Sequence, residues 1–184
     1  MNAEANGPVD ELGAFDDSTG DLHVIIESPK GCRNKYTYEP NRRLFVLTGI
    51  LPLGASFPFD FGFIPGTVGG DGDPLDVLVL MEEPAFVGVL VPSRLIGVIK
   101  AEQTEKGVTE RNDRLIAVAT ASRTHSAIQT LSDLDQSVVD EIEHFFVSYD
   151  AVKGKNFKPL GRYGRGKARA IVDAACICPS IVSG

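Results

Sequence analysis

The sequence predicts an α+β domain that is mainly β: a small barrel of short strands with two helices late in the chain. Short runs of strand-forming residues recur from Asp21 to Ala119, and Gly, Pro, Asn and Asp punctuate them. Helical spacing of apolar residues first appears near Leu134. A chain of 184 residues that is 43% hydrophobic and 23% charged suits one soluble domain with a real core.

Residues 1–20 are polar and acidic with no sustained period, so they read as a flexible arm, and 21–184 as a single domain. Asp21 to Glu27 reads as a strand with Leu22, Val24 and Ile26 on one face and His23, Ile25 and Glu27 on the other. Ser28-Pro29-Lys30-Gly31 turns the chain into a short aromatic strand, Lys35 to Tyr38. Pro40-Asn41 then leads to Leu44 to Leu47. In Phe57 to Ile64, Pro58 and Gly62 break any helix. Further strands are expected at Asp76–Met81, Phe86–Val91, Arg94–Lys100 and Leu115–Ala119, with a charged hairpin loop over Ala101–Arg114. Leu134, Val138, Ile142, Phe145 and Tyr149 keep helical spacing; Ser132 with Asp135 forms a capping-box pattern, and Gly154 ends the helix. A second helix is expected over Lys167–Cys178, stopped by Pro179.

Composition narrows the function. A net charge of −7 argues against nucleic acid, whose phosphates need a basic surface. No run approaches the roughly 18 apolar residues of a membrane span, and the start lacks a signal-peptide pattern, so a cytoplasmic protein is expected. Cys32, Cys176 and Cys178 suggest neither a disulfide framework nor a zinc site.

The chemistry concentrates in Asp71-Gly72-Asp73-Pro74-Leu75-Asp76, followed by Val77 to Leu80. Two unit charges about 4 Å apart repel by about 4 kcal/mol at an effective dielectric near 20. A bound cation relieves such crowding, and hard oxygen ligands select Mg²⁺, Mn²⁺ or Ca²⁺. An acidic turn can also be simply solvated. Here Pro74 sets the bend and Asp76 opens the strand, which favours a divalent-metal site holding phosphate.

Asp71-Gly72-Asp73-Pro74-Leu75-Asp76-Val77 resembles the signature of the family I inorganic pyrophosphatases. Flanking features match in order: Val24 to Glu27, Asn34-Lys35-Tyr36, Phe63-Ile64-Pro65, Gly97 to Lys100, and Ile142 to Phe146 followed by Tyr149. The resemblance implies a closed five-stranded OB-like barrel with two helices packed outside, in a homo-oligomer that is commonly a hexamer in bacteria. It implies Mg²⁺-dependent hydrolysis of pyrophosphate to two phosphates, with Mn²⁺ as an alternative cation. By this resemblance Asp71, Asp76 and Asp73 serve the metals, with Glu27 and Asp113 as further ligands. Asp73 is the general base, and Lys35, Arg114 and Tyr149 bind phosphate.

Several positions depart from the family pattern. Thr37 stands where the family has Glu, Thr48 where it has Arg, Phe57 and Phe61 where it has Tyr, and Asp150 where it has Lys. Gln103 or Glu102 takes the first place of a late Asp pair, and Asn112-Asp113-Arg114 replaces its Asp-x-Lys; Asp113 or Glu105 can supply a ligand by a shift. Losing one Arg and one Lys costs on the order of 3–6 kcal/mol of phosphate binding, about two to four powers of ten in rate. Arg42, Arg43, Lys153, Lys155, Arg162 and Arg165 are candidates to compensate, against a plain reading as solvated surface. The competing functions are therefore a slow pyrophosphatase, a hydrolase of another phosphoanhydride, and a non-catalytic homologue with a structural or regulatory role.

Overall fold

The structure is a computed structural model that describes residue 9 and residues 11–177. Among the described residues nine strands and two α-helices follow in the order β1 (Leu22–Ser28), β2 (Asn34–Glu39), β3 (Leu44–Ile50), β4 (Asp60–Phe63), β5 (Asp76–Leu80), β6 (Leu90–Glu105), β7 (Val108–Arg111), β8 (Arg114–Ala119), α1 (Gln136–Val152), β9 (Asn156–Gly164) and α2 (Arg165–Ala175). Strands β1, β4, β5, β8 and β6 pair in that order, and β6 pairs back onto β1. The mainly-β barrel with two helices is therefore present as a five-stranded ring. The β2–β3 hairpin forms a separate two-stranded sheet.

Alternation along the strands feeds two cores. Leu78, Leu80, Ile116 and Val118 pack with Val139, Ile142 and Phe146 of α1. Val77, Val79, Leu115 and Ala117 pack with Val24, Ile26, Leu95, Val98 and Ala168 and Val172 of α2. Part of the N-terminal arm joins the second core, since Ala14 is buried and its carbonyl accepts from His23 N at 2.9 Å.

Several expectations need correction. The segments Phe86–Val91 and Arg94–Lys100 are not two strands; β6 runs unbroken for 16 residues, bending at register shifts near Gly97 and Lys100. A Cβ on Gly97 would lie 2.7 Å from both Leu131 Cβ and Tyr163 O, so glycine lets the neighbouring chain close in at the bend. Residues 101–114 are mostly strand rather than loop. Lys106 and Gly107, at φ 51° and 82°, make the tight turn that joins β6 to β7.

Strand β9 is legible only in the structure. Pro159, Gly161 and Gly164 disguise it as coil, yet it sits at an edge where a missing N–H is tolerated. Helix α1 starts at Gln136, capped by Asp135, whose Oδ1 accepts from Ser137 N at 2.8 Å. The capping box belongs instead to Thr130 and Asp133 of the short 3₁₀ turn Leu131–Asp133. The buried stripe of α1 is Val139, Ile142, Phe146 and Asp150, one position on from the expected one for most of its length. Helix α2 starts two residues earlier than expected and ends at Ala175, with Cys176 already out of the helix as its C-cap, so it falls short of the expected end at Cys178, which with Pro179 lies outside the described residues.

Candidate active site

A cavity of about 360 Å³ opens where the N-terminal ends of β5 and β8 meet the C-terminal end of α1. The acidic loop forms one wall. Gly72, at φ 89°, bends it, and Asp71 Oδ1 accepts from Asp73 N at 3.2 Å. Buried Thr67 pins the loop: its hydroxyl donates to Ile64 O at 2.7 Å and accepts from Leu75 N at 3.0 Å. Asp71 and Asp73 are exposed, whereas Asp76 at the strand start is a quarter exposed.

Strands β5 and β8 run parallel with Val77 opposite Leu115. The residues just before that pair, Asp76 and Arg114, therefore lie side by side. Arg114 Nη1 donates to Asp76 Oδ2 and to Asn112 Oδ1. Its guanidinium also lies over the rings of Phe146, at 4.7 Å, and Phe157, at 5.4 Å. The substituted Arg is thus held by packing as well as by charge.

Glu27 completes the acidic side. It is buried, and its Oε1 accepts from Tyr38 N at 2.8 Å, anchoring the β2–β3 hairpin to β1. Desolvation pushes its carboxyl up to about 7, aided by Asp76 and Asp73 and opposed by the Tyr38 N–H and Lys35. Burial also raises Asp76, with Asp71 and Asp73 adding to it and Arg114 and Lys35 opposing.

The opposite side is built from separate elements: Lys35 of β2, Gln103 of β6, Arg114 of β8, Tyr149 and Asp150 of α1, and Lys153 and Lys155 just beyond it. Asp150 is buried and its carboxyl is raised by desolvation, against the pull of Arg114, Lys153, Lys155 and Lys35. Turning the Gln103 amide over lets its nitrogen donate to Asp150 Oδ2 at 3.0 Å and its oxygen accept from Lys155 Nζ at 3.2 Å. Burial raises the Tyr149 phenol, and the Asp150 charge adds to that.

Of the residues expected in the site, Asp71, Asp73, Asp76, Glu27, Lys35, Arg114 and Tyr149 share this cavity. Asp113 is not brought there. Its Oδ1 accepts from Ala101 N at 3.0 Å and Arg111 Nε at 2.6 Å, and it lines a smaller pocket behind the acidic loop. Glu105 is paired with Lys155 at 2.9 Å. Among the proposed compensating cations, Lys153 and Lys155 line the cavity. Arg162 is engaged by Glu143 and Asp140 of α1, and Arg42 pairs with Glu39 on the surface.

Departures from the family pattern prove to be spatial neighbours. Thr37 and Thr48 hydrogen-bond each other at 3.1 Å across the β2–β3 hairpin, so the Glu and Arg positions are one contact and their change is charge-neutral. Phe57 and Phe61 are buried, with ring centroids 5.7 Å apart, and Phe57 also meets Phe145 and Tyr149 at 5.5 and 5.9 Å.

The donors on the acidic wall are all oxygen, which suits a hard divalent cation. Among the described residues no three Asp, Glu, His or Cys side chains enclose a metal position.

Residues 24–177 match the family model described as inorganic pyrophosphatase. The chain is 40% identical to an inorganic pyrophosphatase of Corynebacterium efficiens over 82% of its length and 93% of that protein. It is 35% identical to one from Thermus thermophilus, covering 85% of this chain and 87% of the other. A crystal structure of the inorganic pyrophosphatase from Thermus thermophilus superposes with a TM-score of 0.83 at 37% identity, covering 92% of this chain and 97% of that one. The signature loop, the five-stranded ring and these matches agree, and the chain belongs to the family I inorganic pyrophosphatases.

Proposed function

We propose that this chain hydrolyses inorganic pyrophosphate to two phosphates with Mg²⁺, Mn²⁺ being acceptable to the same donors, and at a rate lowered by its substituted phosphate wall. The observation that carries this is one cavity with carboxylates on one side and cations on the other, a pattern suited to a metal-loaded polyphosphate. Asp71 and Asp76, with Glu27 behind them, would hold the cation. When bound, Mg²⁺ would polarise the phosphate oxygens and offset their charge.

Asp73 is the base. Its carboxylate is exposed at the cavity mouth and ion-pairs with no cation among the described residues, so it can accept a proton from water. The water oxygen bonds to one phosphorus, and the bridging oxygen leaves with its electron pair as the second phosphate. Lys35 and the Tyr149 hydroxyl bind the phosphate groups and orient them for that displacement. Arg114 holds Asp76 in place and lends positive charge to the floor.

Phosphate release from pyrophosphate with Mg²⁺, measured for the wild type and Asp73→Asn, tests this reading. Turnover that collapses in the variant supports it. Turnover that is absent, or indifferent to the change, favours a non-catalytic role for the barrel. Self-association and a cytoplasmic setting belong to the same reading. Exposed Leu44, Leu47, Ile50 and Leu53 on and after β3 support the former, and the mass in solution tests it. Among the described residues no helix is long and apolar enough to cross a membrane.

A further inference from the structure

The loss of the family Lys at position 150 looks like the loss of a phosphate contact, and α1 shows why the matter is different. The core stripe Val139, Ile142, Phe146 continues to Asp150, which is buried in the cavity wall as the next turn of the same face. Tyr149 lies beside that stripe, and the residue one turn beyond it is Lys153. Lys153 Nζ donates to Tyr149 Oη and lies 3.8 Å from the centroid of the Tyr149 ring. Its ammonium is thus carried to the cavity by the same tyrosine that the proposed reaction uses.

Among the described residues four basic side chains line the cavity: Lys35, Arg114, Lys153 and Lys155. Arg114 is engaged by Asp76, and Lys155 by Glu105 at 2.9 Å. Among the described residues neither Lys35 nor Lys153 has a carboxylate in ion-pair contact, and each feels the other's charge. Two ammonium groups held near one another without an ion-pair partner make a receptor for an anion with spaced negative charges.

We propose that Lys153 is a substrate-binding residue of this site, taking one phosphate group of the pyrophosphate together with Lys35 and replacing the cation lost at position 150. The assignment rests on the hydrolysis reading for the identity of the ligand. Desolvation pushes the Lys153 ammonium down to about 8, and Lys35 adds to this, followed by Lys155 and Arg114, while Asp150 opposes it. From the facing elements the charged and titratable neighbours are Lys35 of β2, Arg114 of β8, and Tyr149, Asp150 and Lys155 around the end of α1. A bound phosphate favours the charged form. Above pH 8 binding therefore draws a proton onto Lys153, and affinity falls as pH rises through that value.

Calorimetric titration of the Mg²⁺-loaded full chain with imidodiphosphate, a non-hydrolysable pyrophosphate analogue, tests this at about pH 7 and about pH 9 in buffers of different ionisation enthalpy. Lys153→Met is expected to bind about tenfold or more weakly at the lower pH, the scale of one charge-assisted hydrogen bond. Lys153→Arg is expected to bind at wild-type strength at the lower pH and to lose the decline at the higher one. Proton uptake is read as the difference between wild type and Lys153→Arg, so ionisation of the ligand cancels. A helix-end lysine with only a structural role would shift the melting temperature in Lys153→Met and leave affinity and proton uptake unchanged, which overturns the inference. The two readings fail separately. A wild type that binds the analogue through Lys153 without turning over pyrophosphate sinks the hydrolysis reading alone. A wild type that turns over pyrophosphate while Lys153→Met binds normally sinks this one alone.

Discussion

The acidic wall of the cavity comes from one short stretch, Asp71–Asp76, joined by Glu27; the wall opposite collects Lys35, Gln103, Arg114, Tyr149, Asp150 and Lys153 from four separate parts of the chain. The first is a local motif whose charges repel one another and call for a cation. The second is a network in which charges answer one another: Arg114 meets Asp76, Lys155 meets Glu105, and Asp150 sits among the basic groups. The difference teaches where substitution can accumulate. Among the described residues Asp71 and Asp73 ion-pair with no cation and Asp76 answers only to Arg114, whereas Thr37 and Thr48, two changed positions, touch each other across the hairpin.

Substitutions at four positions probe that contrast, in order of expected effect. Asp73→Asn removes the proton acceptor from an exposed position, so turnover should fall by about 10²–10⁴-fold while the melting curve stays put; stopped-time phosphate assays and thermal unfolding check both. An undiminished rate would show that the acidic wall is not where the chemistry lies. Arg114→Ala removes a buried partner and should cost about 3–5 kcal/mol in urea unfolding, because Asp76 is left uncompensated. Arg114→Met should cost less, since it keeps the packing on Phe146 and Phe157.

Asp150→Lys restores the family residue but puts a cation among Arg114, Lys153, Lys155 and Lys35. It should lower stability by on the order of 1–3 kcal/mol and leave turnover no higher than before. A faster, equally stable variant would break the view of this wall as a coupled network.

The smallest effect is the pH dependence of Glu27→Gln, measured on metal-free protein. The folded carboxyl titrates near 7 and the unfolded one near 4.5, so the folded state holds its proton through that interval. Below it both states are protonated and the wild type bears no penalty. Between 4.5 and 7 the unfolded state ionises while burial keeps the folded state protonated, so the wild type loses ground across that interval and no further above it. The melting temperature of Glu27→Gln should therefore match the wild type near pH 4.5 and exceed it by a few degrees at pH 8. Equal curves at both pH values would mean that Glu27 ionises without hindrance.

Much of this protein was legible in its sequence. The period-two runs, the turn residues between them and the late helical period specify a mainly-β domain with two helices, because each signal is confined to a few neighbouring residues. The crowding of Asp71, Asp73 and Asp76 into one turn was legible for the same reason. Strand β9 was not, since its Pro and Gly residues are tolerated only through its edge pairing with β6. The sequence could pair Lys35 or Arg114 with the acidic loop through family resemblance alone.

Only the tertiary structure decided what stands opposite the carboxylates. Parallel pairing of β5 with β8 sets Arg114 beside Asp76 across 38 positions of sequence. The rotation of α1 buries Asp150 in the cavity wall and leaves Lys153, one turn beyond Tyr149, lining the same cavity. A one-residue difference in helix phase turns a side chain by about 100°, so no local pattern distinguishes a lost cation from a relocated one. Packing of α1 on the barrel makes that distinction.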